Sequence, residues 1–212
     1  METNFSEKES LALINEMIAQ ARNNVRKGAG NSMIFWGVAI AVIALSNSLL
    51  LAFLKPEFEN YSYSVWALCL PLVVIDFYVN WKNRHTQLVK THIDTIIGAV
   101  WQGFLITYAI FLAFIFALYR ADGWSGILFI FITPFVLLLC GLCTYATAKA
   151  CRFKPFVFGA IVFWAGFACW SLMAVFNIGE NEIIPFIILA VCMLLGFVVP
   201  GLLLNKKSDC DV

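Results

Sequence analysis

Charged side chains are scarce in this 212-residue sequence, at 13% of residues, and histidine occurs only twice. Apolar residues make up 62%, whereas soluble domains contain about 45–50%. The composition is therefore not that of a soluble globular protein. With a net charge of +1 and no basic stripe, the sequence gives no support to nucleic-acid binding.

Catalytic and cofactor-binding motifs are also missing. No serine-hydrolase elbow, zinc-protease H-E-x-x-H, Walker lysine loop or dinucleotide-binding glycine pattern occurs. His85 and His92 do not have the spacing of a helical ligand pair, and no third histidine exists. Cys140 and Cys143 form a CxxC inside an apolar run, which favours close helix packing over redox chemistry. We expect no catalytic residue, no metal and no cofactor.

Long apolar runs are what the sequence has in abundance. Runs of about twenty residues match a bilayer core of about 30 Å at 1.5 Å per residue. The predicted fold class is all-α, a polytopic membrane bundle of six transmembrane helices over residues 32–204, with a cytoplasmic tail at 205–212. The predicted spans are about 32–54, 65–81, 95–118, 124–147, 156–177 and 183–204.

The distribution of lysine and arginine predicts the orientation of these spans. Twelve of the fourteen basic residues lie in the N-terminal segment, the second and fourth loops and the tail; only Lys55 and Arg120 lie in the other loops. Because cytoplasmic loops carry the excess of basic residues, both termini are predicted to be cytoplasmic.

Residues 1–31 precede the first run and predict an amphipathic cytoplasmic helix ended by Gly28 and Gly30. Two interpretations are open. The helix lies along the lipid interface, or it docks on a protein partner or a second copy. Its apolar stripe recurs at steps of three and four and consists of Leu11, Ile14, Ile18, Ala21 and Val25.

A threefold repeat of hairpins is one interpretation of the spacing of tryptophan, glycine and proline. Similar span lengths and interfacial tryptophans explain the same spacing without a repeat. The motifs are Trp36-Gly37, Trp101-Gln102-Gly103 and Trp164-Ala165-Gly166, with Pro71, Pro134 and Pro200 following 35, 33 and 36 residues after the tryptophans.

Asp76 is the one acidic residue well inside an apolar run, where an ionisable group is costly and often functional. Asn80 and Arg84 follow at i+4 and i+8 and predict a polar stripe that reaches the cytoplasmic rim. Asp94 and Gln102 make a similar row in the third span. Together the five residues form a candidate intramembrane polar cluster, which either lines an inner vestibule or holds helices together by hydrogen bonds.

The opening of the chain, with Met17-Ile18, Ala21, Gly28 and Trp36-Gly37, resembles uncharacterised small bacterial polytopic membrane proteins with an amphipathic N-terminal helix. The resemblance covers roughly the first forty residues. It implies a location in the bacterial inner membrane and no particular activity.

Three functional hypotheses follow. The first is a non-enzymatic membrane regulator, sensor or assembly partner, which acts through its N-terminal helix and the surface of the bundle. The second is a small transporter or channel whose inner vestibule is lined by Asp76 and its neighbours. The third, a membrane enzyme acting on lipid, is the weakest, because no catalytic set is present. The lipid bilayer is the common partner in all three.

Overall fold

The computed structural model describes residues 7–54, 63–84, 92–122, 131–176 and 183–210, and these ranges contain helices and no strand. The predicted all-α class is confirmed for them. In chain order the helices are α1 Glu7–Phe53, a 3₁₀ helix Tyr63–Leu68, α2 Cys69–Arg84, α3 His92–Asp122, α4 Ile132–Cys151, α5 Lys154–Val175, α6 Ile183–Met193, a π-helical segment Leu194–Val198 and α7 Val199–Cys210. Helices α6 and α7 with the π segment form one continuous C-terminal span.

Within these described ranges, five helical stretches are long and apolar enough to cross a membrane. The predicted count of six is not confirmed, because the second predicted span, 65–81, corresponds to the shorter apolar stretch Tyr63–Val79. Its 3₁₀ start rises about 2.0 Å per residue, so the stretch is about 28 Å long. The five spans are Gly30–Phe53, Thr95–Arg120, Ile132–Cys151, Lys154–Val175 and Ile183–Lys206.

Helix α1 does not end at Gly28 and Gly30, where the sequence predicted a stop. It runs unbroken for 47 residues, about 70 Å, so the N-terminal helix and the first span are a single helix. Gly30 instead allows a close crossing with α7. A Cβ at Gly30 would overlap the Asn205 amide and lie 3.0 Å from the Gly201 carbonyl oxygen. The Asn205 amide donates a hydrogen bond to Asn31 Oδ1 at 2.7 Å beside this crossing.

The packed part of the molecule consists of α1, α4, α5 and the C-terminal span. α1 packs along the C-terminal span, α5 packs against both the C-terminal span and α4, and α3 lies on the outer side of α4. The largest fully buried side chains include Phe156, Phe163 and Leu137, which fill the centre. The first and last spans of the chain are therefore direct neighbours.

Glycine permits the close approaches within this packed part. A Cβ at Gly37 of α1 would lie 2.8 Å from Val198, and a Cβ at Gly159 of α5 would overlap the Gly196 carbonyl oxygen. That carbonyl cannot receive the usual helical hydrogen bond, because Pro200 has no N–H and its ring clashes with the carbonyl four residues earlier. The wider π-helical turn at Leu194–Val198 relieves this clash and turns the carbonyl toward α5.

Candidate functional site

Asp76 lies on α2, at the edge of the molecule and outside the packed part. α2 makes extended contact only with the 3₁₀ helix that precedes it. The Asp76 side chain is half-buried, and its flanking residues Ile75 and Phe77 are exposed. Within the described residues no hydrogen bond or ion pair involves the Asp76 carboxylate. Asp76 therefore lies outside the packed interior of the described bundle.

Gln102 lies on α3 with its side chain exposed. It is seven residues from Thr95, where the candidate span of α3 begins, and Asp76 is six residues from Lys82. At 1.5 Å per residue, Gln102 lies about 10 Å along α3 from Thr95, and Asp76 lies about 9 Å along α2 from Lys82. Neither has a hydrogen-bond partner among the described residues.

The predicted polar cluster is only partly described. α2 and α3 do not pack against each other over an extended length, so the structure does not join Asp76 to Gln102. The side chains of Asn80, Arg84 and Asp94 lie outside the described residues. The joint cluster stays a prediction.

The outward side of α3 is a surface that the sequence patterns did not single out. We call Gly98, Gln102, Ala109, Ala113 and Ala117 the α3 open face; all five are exposed and fall on one side of the helix, which they share with the larger exposed side chain of Ile106. A Cβ at Gly98 would meet nothing within 4 Å, unlike those at Gly30, Gly37 and Gly159. The signal was present in the sequence as small residues at steps of four, a pattern that lets membrane helices approach closely.

Of the side chains in the apolar stripe of the N-terminal helix, only that of Leu11 is described, and it is 60% exposed. The side chains of Ile14, Ile18, Ala21 and Val25 lie outside the described residues, although their backbone belongs to α1. Because α1 is continuous, residues 7–29 extend about 34 Å from the first residue of the first span.

The CxxC of α4 lies at the contact of α4 with its neighbours. Cys140 and Cys143 are buried free thiols, and Cys143 Sγ lies 3.9 Å from the Val100 carbonyl oxygen of α3. Gly141 between them faces the Trp164 indole of α5 so closely that a Cβ would overlap the ring. No group of three metal-ligating side chains occurs among the described residues. These contacts are those of helix packing.

Asn47 is a polar residue inside the packed part, on α1. Its side chain is fully buried, and neither the amide nitrogen nor the amide oxygen has a hydrogen-bond partner among the described residues. The neighbouring Ser48 hydroxyl donates to the Ala44 carbonyl oxygen at 3.0 Å. A buried unpaired amide costs about 1–3 kcal/mol, so Asn47 is held there at the expense of stability.

Comparisons with protein-family models, with curated proteins and with solved structures found no match to this chain.

Proposed function

We propose that this is a non-enzymatic membrane assembly or regulatory protein of the bacterial inner membrane, which crosses six times, keeps both termini in the cytoplasm and acts through contacts. In this proposal the α3 open face pairs with the same face of a second copy. The N-terminal part of α1 binds a protein partner outside the membrane. The open face of α3 is the observation that carries the proposal.

The connectivity of the helices supports six crossings. Gly30 of α1 and Asn205 of α7 meet at one end of the bundle, and Phe53 ends α1 at the other. α3 runs antiparallel to α4, since Val100 lies by Cys143 and the Phe111 ring stacks on Phe135 at 3.9 Å. α3 therefore starts at the Gly30 end, whereas α1 ends with Phe53 at the other end. The stretch that contains α2 connects these two points, so it must cross the bundle.

The exposure of α3 supports a protein partner in the membrane. Only 6% of the α3 span Thr95–Arg120 is buried, compared with 33–50% of the other four candidate spans among the described residues. Small residues on a membrane helix allow close packing with another helix, and exposed glutamine gains a hydrogen bond by such contact. Lipid tails offer neither the close fit nor a hydrogen-bond partner.

A second copy is the partner that suits this face best. In a parallel twofold dimer each residue at the axis meets its own equivalent at the same depth. The Gln102 amide carries both donors and an acceptor, so two Gln102 side chains can bond to each other. The Ala109, Ala113 and Ala117 series is likewise self-complementary, because small residues on both helices let the backbones approach.

The continuity of α1 supports a docking role for the N-terminal helix over a helix lying on lipid. To lie along the interface, the segment would have to turn sharply away from the first span near Gly30. Gly30 lies instead at the close crossing with α7, and helix α1 continues through this position. Leu11, exposed on this extension, is available to a partner.

The test of the dimer uses two matched alanine-to-leucine substitutions in lipid nanodiscs. Ala113→Leu adds bulk to the α3 open face, whereas Ala168→Leu adds the same bulk to an exposed position of α5. We expect dimers for the wild type and Ala168→Leu, and monomers for Ala113→Leu, by native mass spectrometry. A monomeric wild type, or a dimer that survives Ala113→Leu, would contradict the proposal.

The test of the N-terminal helix is Ile18→Glu, with Asn23→Glu as the matched control on the opposite side of the helix from the stripe. A co-purifying protein should be lost with Ile18→Glu and kept with Asn23→Glu, as judged by mass spectrometry of the purified complexes. If Ile18→Glu purifies with the same mass and companions, the docking role is wrong.

No observation favours the transporter interpretation. Phe156, Phe163 and Leu137 fill the described centre of the bundle, and Asp76 lies outside it. Asp76→Asn should therefore leave proton-dependent flux in proteoliposomes unchanged. Loss of a wild-type flux in this variant would restore the transporter interpretation.

A further inference from the structure

The connection between α4 and α5 holds three cations around a cavity of about 250 Å³. The cavity is lined by Lys149 and Arg152 from the end of α4, and by Phe153, Lys154, Val157 and Ala148. Of the described side chains, only Asp76 carries a carboxylate, and no ion pair links it to these cations. The cavity thus has a concentrated positive charge with no described counterion.

The backbone of Arg152 adopts a conformation that is unusual for an arginine. Arg152 has φ 51° and ψ 40°, and it is the one non-glycine residue with positive φ among the described residues. Both its N–H and that of Phe153 donate to the Ala148 carbonyl oxygen, which is the helix-ending motif that normally places glycine here. An arginine thus occupies a backbone position that favours glycine, and such strain often accompanies a binding role.

The location of the cavity matches the depth of lipid phosphates. Cys151 ends one membrane span and Lys154 begins the next, so Arg152 and Phe153 lie at the membrane boundary. This is the same end of the bundle as Asn205, because a Cβ at Gly159 of α5 would lie 3.3 Å from Pro200 Cγ, at the start of α7. Basic pockets between transmembrane helices bind anionic lipid headgroups in this position.

Apolar side chains continue from the cavity into the membrane. Phe158 and Ile161 follow Lys154 on the same side of α5 and are 51% and 55% exposed. A lipid whose phosphate lies by Lys154 would place an acyl chain along these two side chains. Lys149 is turned toward the Tyr145 ring, 5.2 Å from its centroid, which leaves Arg152 and Lys154 as the main phosphate contacts.

We propose that the cavity at the α4–α5 turn binds the phosphate of an anionic phospholipid, with Arg152 and Lys154 as its ligands. The arginine guanidinium presents a fork of N–H donors that matches phosphate oxygens, and lysine adds a second charge. The phosphate chemistry is shared by soluble phosphates, and the acyl path along Phe158 and Ile161 assigns the lipid. This site is independent of the dimer proposed above.

The experiment measures phosphatidylglycerol binding to the full-length protein by native mass spectrometry, with phosphatidylcholine as the neutral comparison. Arg152→Gly removes the guanidinium and suits the backbone, so the variant should fold and melt at an equal or higher temperature without lipid. We expect its phosphatidylglycerol binding to fall about tenfold or more, as for the loss of a charge-assisted hydrogen bond. Lys154→Met should weaken binding in the same direction.

Lys206→Ala is the matched control, because Lys206 is an exposed cation at the same end of the bundle and outside the cavity. It should change binding less than about twofold, a difference of about 0.4 kcal/mol. Equal losses for Lys206→Ala and Arg152→Gly would mean general attraction to the membrane and would overturn the site. Inorganic phosphate that protects against thermal unfolding as well as phosphatidylglycerol does would overturn the lipid assignment.

Discussion

The packed part of this protein and helix α3 contain similar residues but are packed very differently. In the packed part, glycines such as Gly37 and Gly159 allow helices to cross at short distances. On α3, Gly98 and Gly103 meet nothing within 4 Å. Since lipid is as apolar as a helix surface, close fit and hydrogen bonds drive helix association in membranes. The small residues of α3 have no close neighbour among the described residues, and this is the observation on which the proposed dimer rests.

The largest difference between the two parts should appear in phenylalanine-to-alanine substitutions. The Phe197 ring contacts Phe163 and Trp101, at centroid distances of 4.8 and 5.7 Å, and is buried. Phe197→Ala should lower the free energy of unfolding by about 3–4 kcal/mol, because it leaves a cavity. The measurement is unfolding by sodium dodecyl sulfate in mixed micelles.

Phe114→Ala is the control for this comparison, since Phe114 on α3 is 58% exposed. Phe114→Ala should lower the free energy of unfolding by less than about 0.5 kcal/mol. A loss at Phe114 as large as that at Phe197 would mean that α3 is packed as firmly as the rest.

Glycine-to-alanine substitutions should have opposite signs in the two parts. Gly159→Ala brings a methyl group against the Gly196 carbonyl and should cost about 2 kcal/mol through overpacking. Gly103→Ala has open space and should gain about 0.5 kcal/mol, because alanine loses less backbone entropy in a helix. Thermal unfolding in detergent tests both, and equal effects would remove the distinction.

A smaller effect is expected at Asn47, within the packed part. Asn47→Leu removes a buried amide without a described partner and should raise the free energy of unfolding by about 1 kcal/mol. Ser48→Ala, which deletes only a hydroxyl bonded to its own helix, is the near-neutral control. A destabilised Asn47→Leu would contradict this expectation.

The candidate polar cluster was predictable from the sequence in part. Asp76 and Gln102 were identified because polar residues are rare in the apolar runs, and rarity is visible in a sequence. The sequence did not predict that these two residues lie on helices without extended contact, because neighbouring helices in the chain need not be neighbours in the bundle. The unusual backbone of Arg152 had no sequence signal other than a basic residue before Lys154-Pro155.

The sequence alone determined that this chain is helical and that it has long apolar stretches suited to a membrane, because hydropathy over about twenty residues reflects the thickness of a bilayer. It also determined which loops carry the positive charge. Only the tertiary structure decided that Gly30 serves a helix crossing and not a helix end, that the first span packs against the last, and that one face of α3 is left open. Hydropathy separates water from lipid, but a helix face against lipid and one against another helix are equally apolar, and only the fit between surfaces distinguishes them.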